Sequence, residues 1–345
     1  MDSRKYYIDN LRSFAILLLF PYHIFMIYNN WGELFYITGE PLFIPSNFIG
    51  ITWIWIMPLL FAIAGMSSRY ALEKRSSGEY VKERVHKLFI PLIFGILLII
   101  PIQSYLASLF HTGHANYLNY FTKVTDLYGC DGAFTPGQLW FILFLFVISM
   151  VCLPFMIWYK KKSVGTLGDN VPLIFIILMG LLPCIAQNDL FEVLDIGGKH
   201  ILEYTVYFLL GYFFLSNDKV LEKLDKYRFL ILGLFVIYTA FMFFILHGEF
   251  FEAASWLGVL TFLGIGRHYL NFSGRISNYL SKSSFGVYIF HQSLIVIVAY
   301  FVFQITDKPI TQMLIIFPIA IITTYLTFEL CKRLHITRWM FGLRK

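Results

Sequence analysis

Apolar residues run in long stretches along this chain, and polar positions are confined mainly to the gaps between them. Ten stretches, about 11–30, 48–71, 88–110, 138–159, 171–187, 200–216, 229–247, 253–270, 284–304 and 309–331, each approach the ~20 residues that an α-helix needs to cross hydrocarbon. A segment in lipid must satisfy its own backbone donors and acceptors, so these stretches predict helices. The expectation is an all-α, polytopic membrane helical bundle of about ten transmembrane helices, with the fifth and sixth the shortest.

Two of the gaps carry structure of their own. Residues 72–87 hold Glu73, Lys74, Arg75, Glu79, Lys82, Glu83, Arg84 and Lys87, and read as a charged helix continuing toward the third span. Residues 111–137 hold His111, His114, Asp126, Asp131 and a Gly/Pro-rich end at Gly129, Gly132, Pro136 and Gly137, long enough to be a binding or lid element. No internal repeat and no separate soluble domain is visible. Residues 1–345 therefore read as one integral membrane domain.

Composition fixes the setting. With 58% hydrophobic residues, 14% charged and 37 Phe, the chain lies far from soluble globular usage. Basic residues then orient it. With both termini cytoplasmic, the inner side holds Arg4, Lys5, the charges of 72–87, Lys160–Lys162, Lys219, Lys223, Lys226, Arg228, Arg267, Arg275, Lys282 and the tail from Lys332, while the outer side holds only Lys123, Lys199 and Lys308. That is the positive-inside pattern of a multi-pass cell-membrane protein, so the net charge of +6 reports topology and does not argue for nucleic acid. Arg4 and Lys5 precede an apolar run with no small-residue cleavage site, which makes that run an uncleaved first helix. Cys130, Cys152, Cys184 and Cys331 have no metal-type spacing and read as apolar filler. Asn271-Phe272-Ser273 matches a glycosylation sequon but falls on the inner side and is set aside. No metal site, phosphate loop or nucleotide fingerprint is present.

The candidate chemistry starts in the first span. Arg12 and His23 stand eleven residues apart, about 16 Å along one helix face, one near the membrane edge and one deep. Ionisable groups at such depth are costly and point to function.

Asp9-x-x-Arg12 followed by His23 resembles the signature of the acyltransferase-3 family of integral membrane acyltransferases. Ala64–Leu72 with Glu83–Pro91 is similar to that family's second and third helices, where a basic-x-x-basic pair precedes a proline. Gly137-Gln138-Leu139-Trp140-Phe141-Ile142 is similar to its Leu-Trp-Phe motif, and Ser284–His291 to its Ser-aromatic-Gly-x-Tyr-x-x-His motif. The resemblance covers essentially the whole chain, and the second-helix stretch most resembles the glucan-modifying, succinyltransferase-like branch. One departure is Lys87, where the family often has arginine.

The resemblance implies transfer of an acyl group, acetyl or succinyl in type, from a cytoplasmic acyl-coenzyme A to a hydroxyl of an extracytoplasmic glycan or similar acceptor, with no permanently bound cofactor. Such a donor carries phosphates and needs a basic inner mouth. Arg12, Arg69, Arg84 and Lys87 fall at inner helix ends and suit that task, or else Arg69, Arg84 and Lys87 only anchor topology and Arg12 only pairs with Asp9. His23 is the candidate general base, since imidazole accepts a proton near neutral pH; the competing reading is a hydrogen-bonded core histidine. His291 is either a second catalytic residue or a structural one. Asp9 is assigned an orienting role and Trp140 either that or an interfacial anchor. The outer acids Glu33, Asp126, Asp131, Asp189, Glu192, Asp195, Glu203, Glu249 and Glu252, with Trp31, Tyr36, Tyr117 and Tyr128, suit a sugar, or simply reflect exclusion of basic residues. The runner-up from another class is a transporter or flippase for a glycan or lipid-linked precursor, which predicts paired broken helices in two related halves.

Overall fold

The computed structural model describes residues 4–32, 35–124, 127, 132–161, 168–187 and 198–344. Glu33, Asp126, Tyr128, Cys130, Asp131, Lys162, Asp189, Glu192 and Asp195 lie outside the described residues. Helices account for the fold, and no extended strand occurs among the described residues. Besides the single turn Asn119–Thr122, the helices are α1 (Tyr6–Met26), α2 (Phe43–Lys74), α3 (Ser77–Thr112), α4 (Gly137–Val151), α5 (Leu153–Lys161), α6 (Leu173–Ala186), α7 (Ile201–Leu215), α8 (Asp218–Lys226), α9 (Arg228–Phe244), α10 (Phe251–Tyr269), α11 (Arg275–Val302), α12 (Pro309–Arg333) and α13 (His335–Met340).

Four of these, α2, α3, α11 and α12, are long and apolar enough to cross a membrane, and the number rises to six if α4 with α5 and α8 with α9 each form one bent span. The sequence pattern is otherwise reshaped by specific residues. The charged 72–87 connection supplies the first turns of α3, started by a capping box in which the Ser76 N–H donates to Glu79 Oε2 at 2.8 Å and the Glu79 N–H to Ser76 Oγ at 3.3 Å. Val85–Phe89 widens into a π-turn just ahead of Pro91, which has no N–H for the Lys87 carbonyl. The expected fourth span bends by 44° between Val151 and Leu153, next to Pro154. The expected fifth span divides into Leu173–Leu178 and Leu181–Ala186, so its straight pieces fall well short of the ~20 residues a span needs.

The chain forms two compact units. One comprises residues 1–15, 51–84 and 144–281, the other 16–50, 85–143 and 282–345. In the first, α2 crosses α7 backbone to backbone. A Cβ added at Gly65 would lie 1.9 Å from the Phe208 carbonyl oxygen, and one at Gly211 would lie 2.1 Å from that of Ala62. Small residues at a helix crossing allow this approach. Behind it, the Trp256 indole N–H donates to the Ile176 carbonyl at 2.8 Å and the Ser255 hydroxyl to that of Ile54 at 2.5 Å. Glu203 and Glu252, two of the outer acids, are only 3% and 7% exposed, and the Gln187 amide, with its NH2 turned toward them as their acceptor oxygens require, reaches both at 2.9 and 3.2 Å. They are internal fasteners rather than surface for a sugar.

In the second unit α11 is the central helix. Its stretch from Ser283 to Ser293 is almost wholly buried, and Gly286 lets Phe328 of α12 lie against it. Tyr28 donates to Gln312 Oε1 at 3.1 Å, tying the segment after α1 to α12. Of the 111–137 connection, the described part folds back on itself through Phe134 N–H to the Lys123 carbonyl, 2.8 Å, and Tyr120 hydroxyl to the Thr135 carbonyl, 2.7 Å.

Candidate active site

The first unit gathers three of the expected donor-binding arginines around one turn of α2. Arg12 donates to Ser67 Oγ at 3.0 Å and lies 3.4 Å from Asp9 Oδ1. Arg84 donates to Ser68 Oγ at 3.0 Å and lies 4.7 Å above the Tyr80 ring, while the Tyr80 hydroxyl donates to the same Ser68. Arg69 pairs with Glu73 at 2.9 Å and stands 5.5 and 5.6 Å from the ring centroids of Tyr159 and Tyr212. Asp9 also binds Arg4, at 2.7 Å.

These arginines are not equivalent electrically. Arg12 and Arg69 each face a carboxylate, whereas Arg84 meets none among the described residues, and its buried Nε has no hydrogen-bond partner. A cation held by one hydroxyl and a ring, without a counter-charge, is suited to an anionic group. Nearby ion pairs at the start of α1 are saturated differently: Lys5 binds Asp218 at 2.7 Å and Tyr70 at 3.1 Å, and Arg267 reaches Asp218 and Glu222 at 3.4 and 3.3 Å.

The second unit holds the two histidines side by side. Their ring centroids are 5.1 Å apart and tilted by 48°. Phe35 stacks on His23 at 5.9 Å and Phe20 meets His291 edge-on at 5.9 Å. His291 has no exposure, and its Nδ1 lies 2.7 Å from the Tyr288 carbonyl oxygen. A carbonyl only accepts, so Nδ1 carries a proton, and in the neutral tautomer this leaves Nε2 as the acceptor. That Nε2 and Nδ1 of His23 are buried atoms without a hydrogen-bond partner, although His23 as a whole is only partly buried. Unsatisfied nitrogens inside a protein are rare and call for an explanation, which a reacting proton supplies.

Lys87 has a backbone partner. The Lys87 ammonium donates to the Gly342 carbonyl at 2.6 Å, just beyond α13. Trp140 is half-buried where the α-helical part of α4 begins. Its neighbour Gln138 lies in the same motif stretch, but the sequence reading assigned it no role. Gln138 packs with Gln103 and Ser293 in a buried polar ring beside His291. Ser67, Ser68 and Tyr80 were missed too. The available signal was polarity in the wrong place, since Gln103 lies inside an apolar span where an amide must find partners.

Among the described residues no group of three or more His, Cys, Asp and Glu side chains is placed to hold a metal ion. A family profile described as "Acyltransferase domain" matches residues 5–329, running through both units. Among relatives, Glucans biosynthesis protein C of Salmonella paratyphi B, of Salmonella heidelberg and of Salmonella enteritidis PT4 are each 22% identical over 332 residues, covering 84% of this chain and 82% of the relative. No solved structure matches. The chain belongs to the acyltransferase-3 family of membrane acyltransferases, enzymes that transfer acyl groups other than aminoacyl groups.

Proposed function

We propose that this protein is a multi-pass cell-membrane O-acyltransferase with about ten spans and cytoplasmic termini, moving an acetyl- or succinyl-type group from cytoplasmic acyl-coenzyme A to a hydroxyl of an extracytoplasmic glycan. The observation that carries the reading is the histidine pair: two imidazoles 5.1 Å apart, each with a buried nitrogen lacking a partner. In the reaction, a histidine nitrogen takes the proton of the acceptor hydroxyl as its oxygen attacks the thioester carbonyl. The carbon–sulfur bond then breaks, and the leaving thiolate recovers that proton from the imidazolium. His23 is the base in this scheme and His291 its partner. Arg12, Arg69, Arg84 and Lys87 take the donor phosphates, with Asp9 orienting Arg12 and Trp140 orienting the start of α4. Arg84, which lacks a carboxylate among the described residues, supports the donor assignment most directly. The glucan class of acceptor rests on the relatives named above.

The test is a reconstitution. Purified protein in liposomes, given acetyl- or succinyl-coenzyme A and a glucan, is expected to release free thiol and add one acyl mass to the glucan by mass spectrometry. Thiol release without acylated sugar removes the glycan acceptor from the proposal, and neither product removes the donor.

Topology has its own measurement. Single cysteines introduced at 72–87 are expected to label only from the cytoplasm, and those at 111–137 only from outside. Inside labelling of 111–137 means that the span count is wrong and the donor mouth lies elsewhere.

A further inference from the structure

Beside His291, three side chains that nothing above assigns to the reaction close a hydrogen-bonded ring. Gln103 Nε2 donates to Gln138 Oε1 at 3.1 Å, Gln138 Nε2 donates to Ser293 Oγ at 3.1 Å, and the Ser293 hydroxyl donates to Gln103 Oε1 at 2.8 Å. The second N–H of Gln138 reaches the Ile289 carbonyl at 3.0 Å, and the Tyr288 hydroxyl donates to the Gln138 backbone carbonyl. Gln103 has no exposure, and Gln138 and Ser293 have 4% each. Every oxygen of the ring accepts and every donor points one way around it, so neither amide can be reversed without breaking two bonds.

Gln138 thus grips α11 at residues 288, 289 and 293, on both sides of His291. The same Tyr288 whose hydroxyl is fastened to Gln138 offers its carbonyl to His291 Nδ1. The backbone before Gln138 is shaped for this contact. Gly137 has φ +51°, and a Cβ there would stand 2.7 Å from Gln103 Nε2 and 3.2 Å from the Tyr36 hydroxyl. Buried polar rings of this kind are worth having only when complete, and they then fix one arrangement.

We propose that Gln138 is a positioning residue for the acyl-transfer reaction. Through the ring with Gln103 and Ser293 it sets the rotation of the α11 turn that carries His291, and so holds the acceptor Nε2 toward His23. The proposal rests on the two-histidine reading of the site.

The experiment is a double-mutant cycle in the reconstituted full-length protein, with Gln138→Leu, Ser293→Ala, His291→Ala and their combinations. Gln138→Leu is expected to lower turnover roughly tenfold to a hundredfold, the scale of an ångström-sized misplacement, with the Michaelis constant for the acyl donor unchanged. In the His291→Ala background the same change should have less than about a twofold effect, because a residue acting through His291 has nothing left to position. Ser293→Ala should give a smaller loss with the same dependence, and it decides the matter if Gln138→Leu fails to insert. Equal losses in both backgrounds, or losses carried by the Michaelis constant, overturn the proposal while leaving the transferase reading intact. Nitrogen-15 spectra of histidine-labelled protein give a readout that needs no turnover. His291 should show a protonated Nδ1 in the wild type and a shifted or broadened signal in Gln138→Leu; an unchanged signal overturns the proposal even if no acyl transfer is found.

Discussion

His23→Ala is expected to lower acyl transfer by about 10³-fold while expression and membrane insertion stay normal. A positioned general base contributes roughly 10²- to 10⁴-fold, and His23 is the member of the pair with partial exposure as well as an unpartnered buried Nδ1. Removing it leaves the apolar surface of α1 intact, so the helix has no reason to misfold. The measurement is thiol release per molecule of reconstituted protein at saturating acyl donor. Near-wild-type turnover in His23→Ala sinks the assignment. His291→Ala should be the milder of the two, since its ring is fixed by Tyr288 and fully buried. Equal losses, with no further loss in the double variant, would mark a site in which the two rings share one proton.

The second large effect belongs to Arg12. Arg12→Ala is expected to raise the Michaelis constant for the acyl donor about 10- to 100-fold, the range of one or two charge-assisted hydrogen bonds, and to lower turnover as well. Arg12 shares α1 with the proposed base, so its loss also disturbs the helix that presents His23. Arg12→Lys keeps the charge but loses the planar fork that serves both Asp9 and Ser67, and should recover only part of the activity. Arg84→Ala separates binding from chemistry: its effect should fall on the donor constant and leave saturated turnover within a fewfold. Donor titration of the purified variants reads all of this. Unchanged donor affinity across Arg12, Arg69 and Arg84 variants means that these residues only anchor helices.

Much of the architecture was legible because lipid imposes a simple rule on sequence. Long apolar runs must be helical, and α2, α11 and α12 fall where the pattern puts them. The divided helix at 173–186 was not legible, because a stretch of Leu, Ile and Phe looks the same whether it is straight or broken at Met179 and Gly180. In the candidate site, Arg12, His23 and His291 were visible as ionisable residues in apolar surroundings. Their neighbours were not. Whether Arg84 and Lys87, three residues apart, share a partner depends on the π-turn between Arg84 and Pro91; it leaves one on Ser68 and the other on the Gly342 carbonyl. Gln138 lay inside a recognised motif stretch with no role of its own, because its value comes from Gln103 and Ser293, distant in sequence and brought together only by the fold.

The crossing of α2 and α7 at Gly65 and Gly211 constrains how this site can change over evolutionary time. Ser67 and Ser68, the hydroxyls that hold Arg12 and Arg84, follow Gly65 within a single turn. With the Phe208 carbonyl where a Cβ at Gly65 would lie, α2 can neither slide nor rotate on α7 without collision, so the ledge bearing the two serines is fixed in place. On the proposed donor assignment, a change of acyl donor therefore has to come from exchanging side chains on that ledge and not from moving the helix beneath them.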